Sequence, residues 1–403
     1  MPELITGGVP RGADYFGRSD LIEKLWSQVR KDNILLVAPR RFGKTGAMYR
    51  MLDEPREPFR PLYMDVGYIT SAANFMVELV ALLSRDRFFA PVVEKLWEHT
   101  KGAGTFLRNL PARIEVGDLK VELRESTDVP KRWLDYGERL MSMLGRSSPQ
   151  LLLLLDEFPV MLEEIALRDA SEARQFLRWF RSARIAPETR VRFVIGGSIN
   201  LVTSLDEMGL VDTINDLHLE RLRPFDRPTA EAFVRSVFAG RDIALPHEVL
   251  ETILVLVGEP IPYFLQVLLG AILDRQKATG QPIDPESVRQ AFEDDLLGGG
   301  AGAVFQHYRS RLDRYYPGSQ GTAAKAILGT LSRSDQPVGR DTVYAVFLKA
   351  TASDPSGATG DSFARLMAKL ENDFYVVARD SSYGFFSRVL QLWWRTHYGY
   401  QGE

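Results

Sequence analysis

With 403 residues, 45% of them hydrophobic and 26% charged, the chain has room for roughly two to three domains around ordinary globular cores. A formal charge of -3 excludes a global basic field for nucleic acid, and the absence of cysteine excludes disulfides, thiolate metal sites and cysteine nucleophiles. Residues 1–18 lack a signal-peptide shape, and the most apolar long stretch, Thr252 to Leu273, is broken by Gly258, Glu259, Pro260 and Pro262, so a cytoplasmic protein without a membrane span is expected.

Residues 1–32 read as a lead-in segment and one helix, with Asp20 as candidate N-cap and Leu21, Ile22, Leu25 and Trp26 at helical spacing. Asn33 to Ala38 reads as a buried strand, followed by a loop, with a helix opening at Lys44. Pro61 to Val66 is a second strand, and Ala72 to Leu83 an apolar-periodic helix. The alternation around Gly117 and Asp118 predicts a hairpin insertion near 112–123. Pro130 to Leu144 is a helix, and Gln150 to Leu155 is nearly all leucine, as expected for a parallel strand buried on both faces. A helix over Ala173 to Arg184 and a strand over Val191 to Gly196 complete the alternation, which predicts a doubly wound α/β fold.

Strands are expected to stop near Pro224. Helices follow at Arg227 to Gly240, His247 to Leu256 and Pro262 to Lys277, and Gly298 to Gly302 reads as a flexible break. The tail predicts helices at Val304 to Tyr315, Ala323 to Ser332 and Gly360 to Glu371, then β-like runs at Tyr375 to Arg379 and Tyr383 to Phe386. Helices followed by a β-wing are the pattern of a winged helix. The expected domains are an α/β core over 1–223, a helical lid over 224–297 and a winged-helix-like domain over 303–403.

The strongest chemical signal is Ala38-Pro39-Arg40-Arg41-Phe42-Gly43-Lys44-Thr45, continued by Gly46, set between a strand and a helix. It fits the phosphate-binding loop G-x-x-x-x-G-K-[ST], in which backbone amides and the helix N-terminus cradle phosphates. Lys44 can reach the β and γ phosphates, and the Thr45 hydroxyl can ligate Mg²⁺. Ala38 replaces the first glycine, which is tolerable if the backbone angles there are ordinary. The second signal is Leu151 to Leu155 followed by Asp156 and Glu157: Asp156 would hold Mg²⁺ through water and Glu157 would polarise the attacking water. The alternative for this run is a core strand ending in a solvated acidic turn.

Other candidates stay open at this level. Ser198, or else Asn200, follows a strand and is placed to sense the γ-phosphate, unless both merely cap a turn. Phe16, Gly17 and Arg18 either reach the adenine or a phosphate, or staple the first helix. Pro262 opens a helix, where proline is often only structural. Arg40 and Arg41 face either phosphate or solvent. Arg174, Arg178, Arg181 and Arg184 lie about one turn apart: one is an arginine finger toward a neighbouring subunit of a homo-oligomer, or all form a solvated face.

As a set, Phe16-Gly17-Arg18, the Pro-Arg-Arg-Phe-Gly-Lys-Thr loop, the 112–123 hairpin, Leu-Asp-Glu-Phe-Pro, Gly-Gly-Ser, Leu222-Arg223-Pro224-Phe225 and Pro262-Tyr263-Phe264-Leu265-Gln266 resemble the archaeal-type ATPase family. That family belongs to the signal-transduction ATPases with numerous domains (STAND), relatives of the AAA+ proteins. The resemblance spans about residues 8–275, and the tail, including Trp393-Trp394, is similar to the family's C-terminal winged helix. It implies a P-loop, AAA+-like parallel sheet, a helical lid and a winged helix. It also implies Mg-dependent hydrolysis of ATP to ADP and phosphate, with Pro262 contacting the adenine.

Two functions follow as expectations. The first is an ATP-driven molecular switch whose output passes to a partner or effector protein or to DNA, with signalling or defence as a setting. The second is a DNA-binding ATPase of the origin-recognition or transposition-regulator type. Residues 301–403 carry 12 Lys and Arg against 9 Asp and Glu, a mild excess that leaves DNA binding through the tail open. A nucleotide kinase fits less well, because no short Arg-rich lid is visible.

Overall fold

A strand that is apolar at every position can only be buried on both faces, and this rule organises the chain. The computed structural model describes residues 2–39, 41–98, 131–187, 189–197, 201, 205, 209–300, 302–352 and 359–399. The hairpin expected near 112–123 lies outside them. Two compact units emerge. A sheet unit comprises Arg18–Ala38 and Lys44–Leu222, and a helical unit comprises Met1–Gly17, Pro39–Gly43 and Arg223–Glu403.

In the sheet unit, helix α1 (Ser19–Val29) precedes β1 (Asn33–Val37), which leads to α2 (Lys44–Asp53). Then come β2 (Phe59–Asp65), α3 (Ala72–Ser84), α4 (Ala90–Glu98), α5 (Trp133–Leu144) and β3 (Gln150–Asp156). The unit ends with α6 (Phe158–Arg168), α7 (Ala170–Ile185), β4 (Arg192–Gly197) and β5 (Leu217–Arg221). The five strands are ordered β2-β3-β4-β1-β5 and all neighbours run parallel. Leu151 to Leu155 are all fully buried in β3, as the leucine run requires. Asn33, buried at the start of β1, accepts the amide of Phe193 on its side-chain oxygen at 3.0 Å, which ties β1 to β4 below the register pair Ile34–Val194.

On one flank of the sheet an aromatic cluster fills the space between helices. Phe176, Trp179 and Phe180 of α7 meet Phe75 of α3, Trp133 of α5, Phe158 of α6 and Phe193 of β4 at ring-centroid separations of 5.1–6.3 Å. Such rings bury large areas and pack edge-to-face or offset. Helix α7 begins at its cap Asp169, whose carboxylate accepts the amides of Ser171 and Glu172.

The helical unit contains α8 (Arg227–Ala239), α9 (His247–Val257), α10 (Pro262–Thr279) and α11 (Pro285–Gln290). Residues Ala291–Gly300 wind as a π-helix, where the glycine run predicted a flexible break. Arg275 of α10 binds Asp294 at 2.9 Å and also pairs with Asp295, and Phe292 and Leu296 are buried, so packing overrides the local glycine signal. After it come α12 (Gly302–Tyr315), α13 (Ser319–Arg333), β6 (Val338–Gly339), α14 (Arg340–Ala350), α15 (Gly360–Asn372), β7 (Val376–Arg379), β8 (Ser382–Phe385) and α16 (Arg388–Tyr398). Strands β6, β8 and β7 form an antiparallel sheet in that order. Seven of these elements escaped the sequence reading: helices α4, α6, α11, α14 and α16, strand β5 and the two-residue β6. Asp20 is not the cap of α1; Arg18 is, and Asp20 lies in the first turn.

The arginine row on α7 divides. Arg174 and Arg178 are exposed. Arg184 has a side chain only 1% accessible, grips Asp216 through two nitrogens at 2.9 Å each, and donates to the carbonyl of Thr213. Arg181 reaches Asn215 at 3.2 Å. Arg184 is therefore a tie between α7 and the segment before β5. Breaking a buried pair strands a charge and costs about 3–5 kcal/mol. Arg184→Ala should lower the urea midpoint accordingly, while Arg178→Ala should stay within about 0.5 kcal/mol of wild type.

Candidate functional site

Strands β1 and β3 carry the two motifs, and β4 lies between them, so the carboxyl ends of all three converge. At the end of β3, Asp156 is 3% exposed. Its Oδ2 accepts the Thr45 hydroxyl at 2.5 Å and the Tyr63 hydroxyl at 3.4 Å, and its Oδ1 accepts the amide of Glu157 at 3.0 Å. Tyr63 comes from β2 and packs at a tilt against Tyr49 of α2, with ring centroids 4.7 Å apart. Burial, then the neighbouring Asp156 carboxylate, pushes the Tyr63 phenol far above its ordinary range, so it remains a neutral donor. The sequence reading missed Tyr63, because an aromatic inside a strand looks like core.

Close approach at this carboxylate needs a glycine beside it. A methyl group at Gly196 would lie 2.6 Å from Asp156 Oδ1 and 2.8 Å from the Met48 methyl, so no larger residue fits at the end of β4. Ser198 and Asn200, the expected sensors, lie outside the described residues; β4 ends at Gly197, one residue before Ser198.

Lys44, Thr45 and Gly46 form the first turn of α2. Lys44 Nζ donates to the Ala38 carbonyl at 2.7 Å, folding its stem back along the loop. Ala38 is buried, and its φ lies outside the left-handed region, so the missing glycine costs no strain. Glu157 takes φ 58° at the N-cap of α6, a left-handed angle that is rare outside glycine, asparagine and aspartate. Oxygen donors Thr45 and Asp156 suit Mg²⁺, which prefers one or two protein ligands and keeps the rest of its shell for water and phosphate. Among the described residues no group of three or more His, Asp or Glu that could hold a metal ion occurs.

Within the helical unit, the loop apex is gripped at three places. Gly43 has φ 97° and its carbonyl accepts the Tyr15 hydroxyl at 3.0 Å. A methyl group there would meet the Tyr15 ring at 3.1 Å, so glycine serves both the turn and the contact. Arg41, at φ 71°, donates to the Thr6 carbonyl at 3.2 Å and lies 4.9 Å from the centre of the Tyr263 ring. Phe42 is 1% exposed, with its ring 5.6 Å from Phe374 and 6.5 Å from Phe386. Arg40 lies outside the described residues, and Pro39 is buried.

Phe16 lies 5.4 Å from Phe233 of α8, and Gly17, at φ 67°, abuts Thr229 and Phe225. Arg18 is the N-cap of α1. Pro262 occupies the first turn of α10 after the cap residue Ile261. A cavity of about 810 Å³ opens between residues 4–7 and α10, lined by Tyr263, Gln266, Gly270 and Asp274 among others.

No protein-family model and no curated protein matches the chain. Solved structures do. The Walker-type ATPase PABY2304 of Pyrococcus abyssi superposes with a TM-score of 0.59 at 17% identity, over 97% of this chain and 99% of that one. The ORC2 protein of Aeropyrum pernix, solved in ADPNP–ADP complexes, gives a TM-score of 0.55 at 12% identity, over 96% and 93% of the two chains. At such identities the likeness is one of fold, and with the sheet order above it makes this an α/β P-loop NTPase fold, followed by a helical C-terminal region.

Proposed function

We propose that the chain is an ATP-binding and ATP-hydrolysing molecular switch of the STAND or AAA+ type, which couples its nucleotide state to a partner protein. The observation that carries this reading is the hydrogen bond between Thr45 and Asp156, which joins a lysine-bearing loop to an Asp-Glu strand end. Its Thr45 hydroxyl and Asp156 carboxylate are the two protein oxygens from which a magnesium–triphosphate complex would hang. Bound Mg²⁺ would neutralise charge on the β and γ phosphates. Lys44 would leave the Ala38 carbonyl and turn its ammonium to those phosphates. Tyr63 would hold Asp156 in place, and Glu157 would accept the proton of the attacking water. Ser198 is the sensor in this scheme, and Pro262 is the candidate for contacting the adenine.

The order α13-β6-α14-α15-β7-β8 supports reading residues 303–403 as a winged helix, with 1–223 as core and 224–297 as lid. Its role here is docking rather than DNA reading. Lys369, taken with Arg365 as one basic face of α15, is 8% exposed, with Nζ 4.9 Å from the centre of the Tyr316 ring. One of two cations is thus turned inward. A DNA-binding ATPase of the origin-recognition or transposition-regulator type is the second reading.

Three outcomes test these assignments. Lys44→Ala should weaken binding of a fluorescent ATP analogue roughly 10- to 100-fold, the loss expected for charge-assisted bonds to phosphate; unchanged affinity in a folded variant would end the P-loop assignment. Glu157→Gln keeps shape and removes the base, so phosphate release should fall about 100-fold or more while ATP still binds. Mobility shifts on duplex DNA should show weak binding that fades between roughly 50 and 200 mM salt. Salt-resistant nanomolar binding lost on Arg365→Ala would favour the second reading.

A further inference from the structure

Phe42 is the one large apolar residue in a loop otherwise made of Pro, Arg and Gly. A ring at that position gains nothing from phosphate chemistry, which the loop performs with backbone amides and Lys44. It is nevertheless 1% exposed. Its neighbours are Phe374, at the turn between α15 and β7, and Phe386, just after β8. These two meet each other edge-to-face at 4.7 Å, so the three rings form one cluster.

The turn that presents Phe374 is built for the purpose. Helix α15 ends with Tyr375 N donating to Leu370 O at 3.0 Å and Phe374 N to Glu371 O at 3.1 Å, the paired bonds of a Schellman cap. The residue at the left-handed position of that cap is normally glycine, and here Phe374 occupies it at φ 58°. The residues on either side are fixed in the interior. Asp373, 3% exposed, accepts the Tyr316 hydroxyl at 2.5 Å, and Tyr375 donates its hydroxyl to the Tyr308 carbonyl at 2.7 Å. Phe386 is tied to the same turn, its amide donating to the Tyr375 carbonyl at 3.0 Å. Both rings therefore stand on an anchored base.

We propose that Phe374 and Phe386 are positioning residues for the phosphate loop: they clasp Phe42, so that the loop apex and the C-terminal hairpin move only together. The clasp gives the C-terminal domain a direct mechanical hold on the conformation of the loop, one residue from Gly43 and two from Lys44. Its consequence for nucleotide exchange rests on the ATP reading above. The clasp itself does not, since it is a contact within the chain. Linkage makes the effect reciprocal: whatever the hairpin does to nucleotide affinity, nucleotide must do to the hairpin.

The test uses the full chain. Phe374→Gly removes the ring while giving the cap the residue that its backbone angle favours, so the turn should keep its fold. Amide hydrogen exchange over residues 38–46, without nucleotide, should accelerate at least tenfold in Phe374→Gly. Phe386→Ala, which leaves the cap untouched, should do the same and serves if Phe374→Gly loses the hairpin. Release of a fluorescent ADP analogue should change at least fivefold in both. Phe42→Ala should show the same change, and the double variant Phe42→Ala/Phe374→Gly no more than Phe42→Ala alone, because the residues act as a unit. Loop exchange within twofold of wild type in both Phe374→Gly and Phe386→Ala, with the hairpin still protected, would overturn the proposal, as would additive effects in the double variant. If wild type binds no nucleotide analogue, the ATP reading fails, and the exchange comparison still decides the clasp.

Discussion

The Thr45–Asp156 hydrogen bond is the contact on which the candidate site depends. Thr45 belongs to the first turn of α2 and Asp156 to the tip of β3, and the two residues are 111 positions apart in the chain. A buried carboxylate is tolerable only if its lone pairs are satisfied. Here the hydroxyls of Thr45 and Tyr63 and the amide of Glu157 share that work. The absence of a side chain at Gly196 is part of the same solution, since any Cβ there would collide with the carboxylate.

A second buried carboxylate organises the C-terminal elements by the same logic. Asp373 is pushed above the ordinary carboxylate range by burial, against the pull of nearby Arg311. Arg311 is itself buried, and Tyr316 and Lys369 complete the group. Charges of opposite sign in a dry interior need one another, because removing a single partner leaves the rest uncompensated. The group joins α12 to the end of α15 and so fixes where Phe374 begins.

Much of the sheet and the acidic strand end was legible because each rested on a strong local pattern. Leu151 to Leu155 left no solvent face, and the loop from Ala38 to Thr45 stood in the strand-to-helix context that phosphate binding requires. Elements whose order comes from tertiary contact were not legible. Strand β5 carries the polar residues His218, Glu220 and Arg221 and is a strand only because β1 offers it an edge. The glycine run at 298–300 ends a π-helix held through Arg275. Arg184 and Lys369 look like solvated helix cations in sequence, yet their partners Asp216 and Tyr316 lie 32 and 53 positions away, beyond any periodicity argument. Phe42 was visible as a loop residue, and Tyr15 as part of the lead-in, but nothing local said what either would touch.

The backbone supplies an independent reason to group these residues. Five non-glycine residues among those described have positive φ: Arg41, Glu157, Asp242, Phe374 and Asp380. Aspartate adopts the left-handed region readily, because its short side chain can hydrogen-bond locally, and Asp242 and Asp380 sit in turns. The other three lack that excuse. Holding such a residue there costs about 1–2 kcal/mol, which persists only where surrounding contacts over-determine the conformation. Arg41 is in the loop apex, Glu157 is the candidate base, and Phe374 touches the ring of Phe42. Strain without local cause thus falls on the loop, on the acid next to Asp156, and on the residue that reaches the loop from the C-terminal turn. A glycine at position 374 would satisfy the cap more cheaply, so the aromatic ring there is explained by what it touches rather than by the turn it occupies.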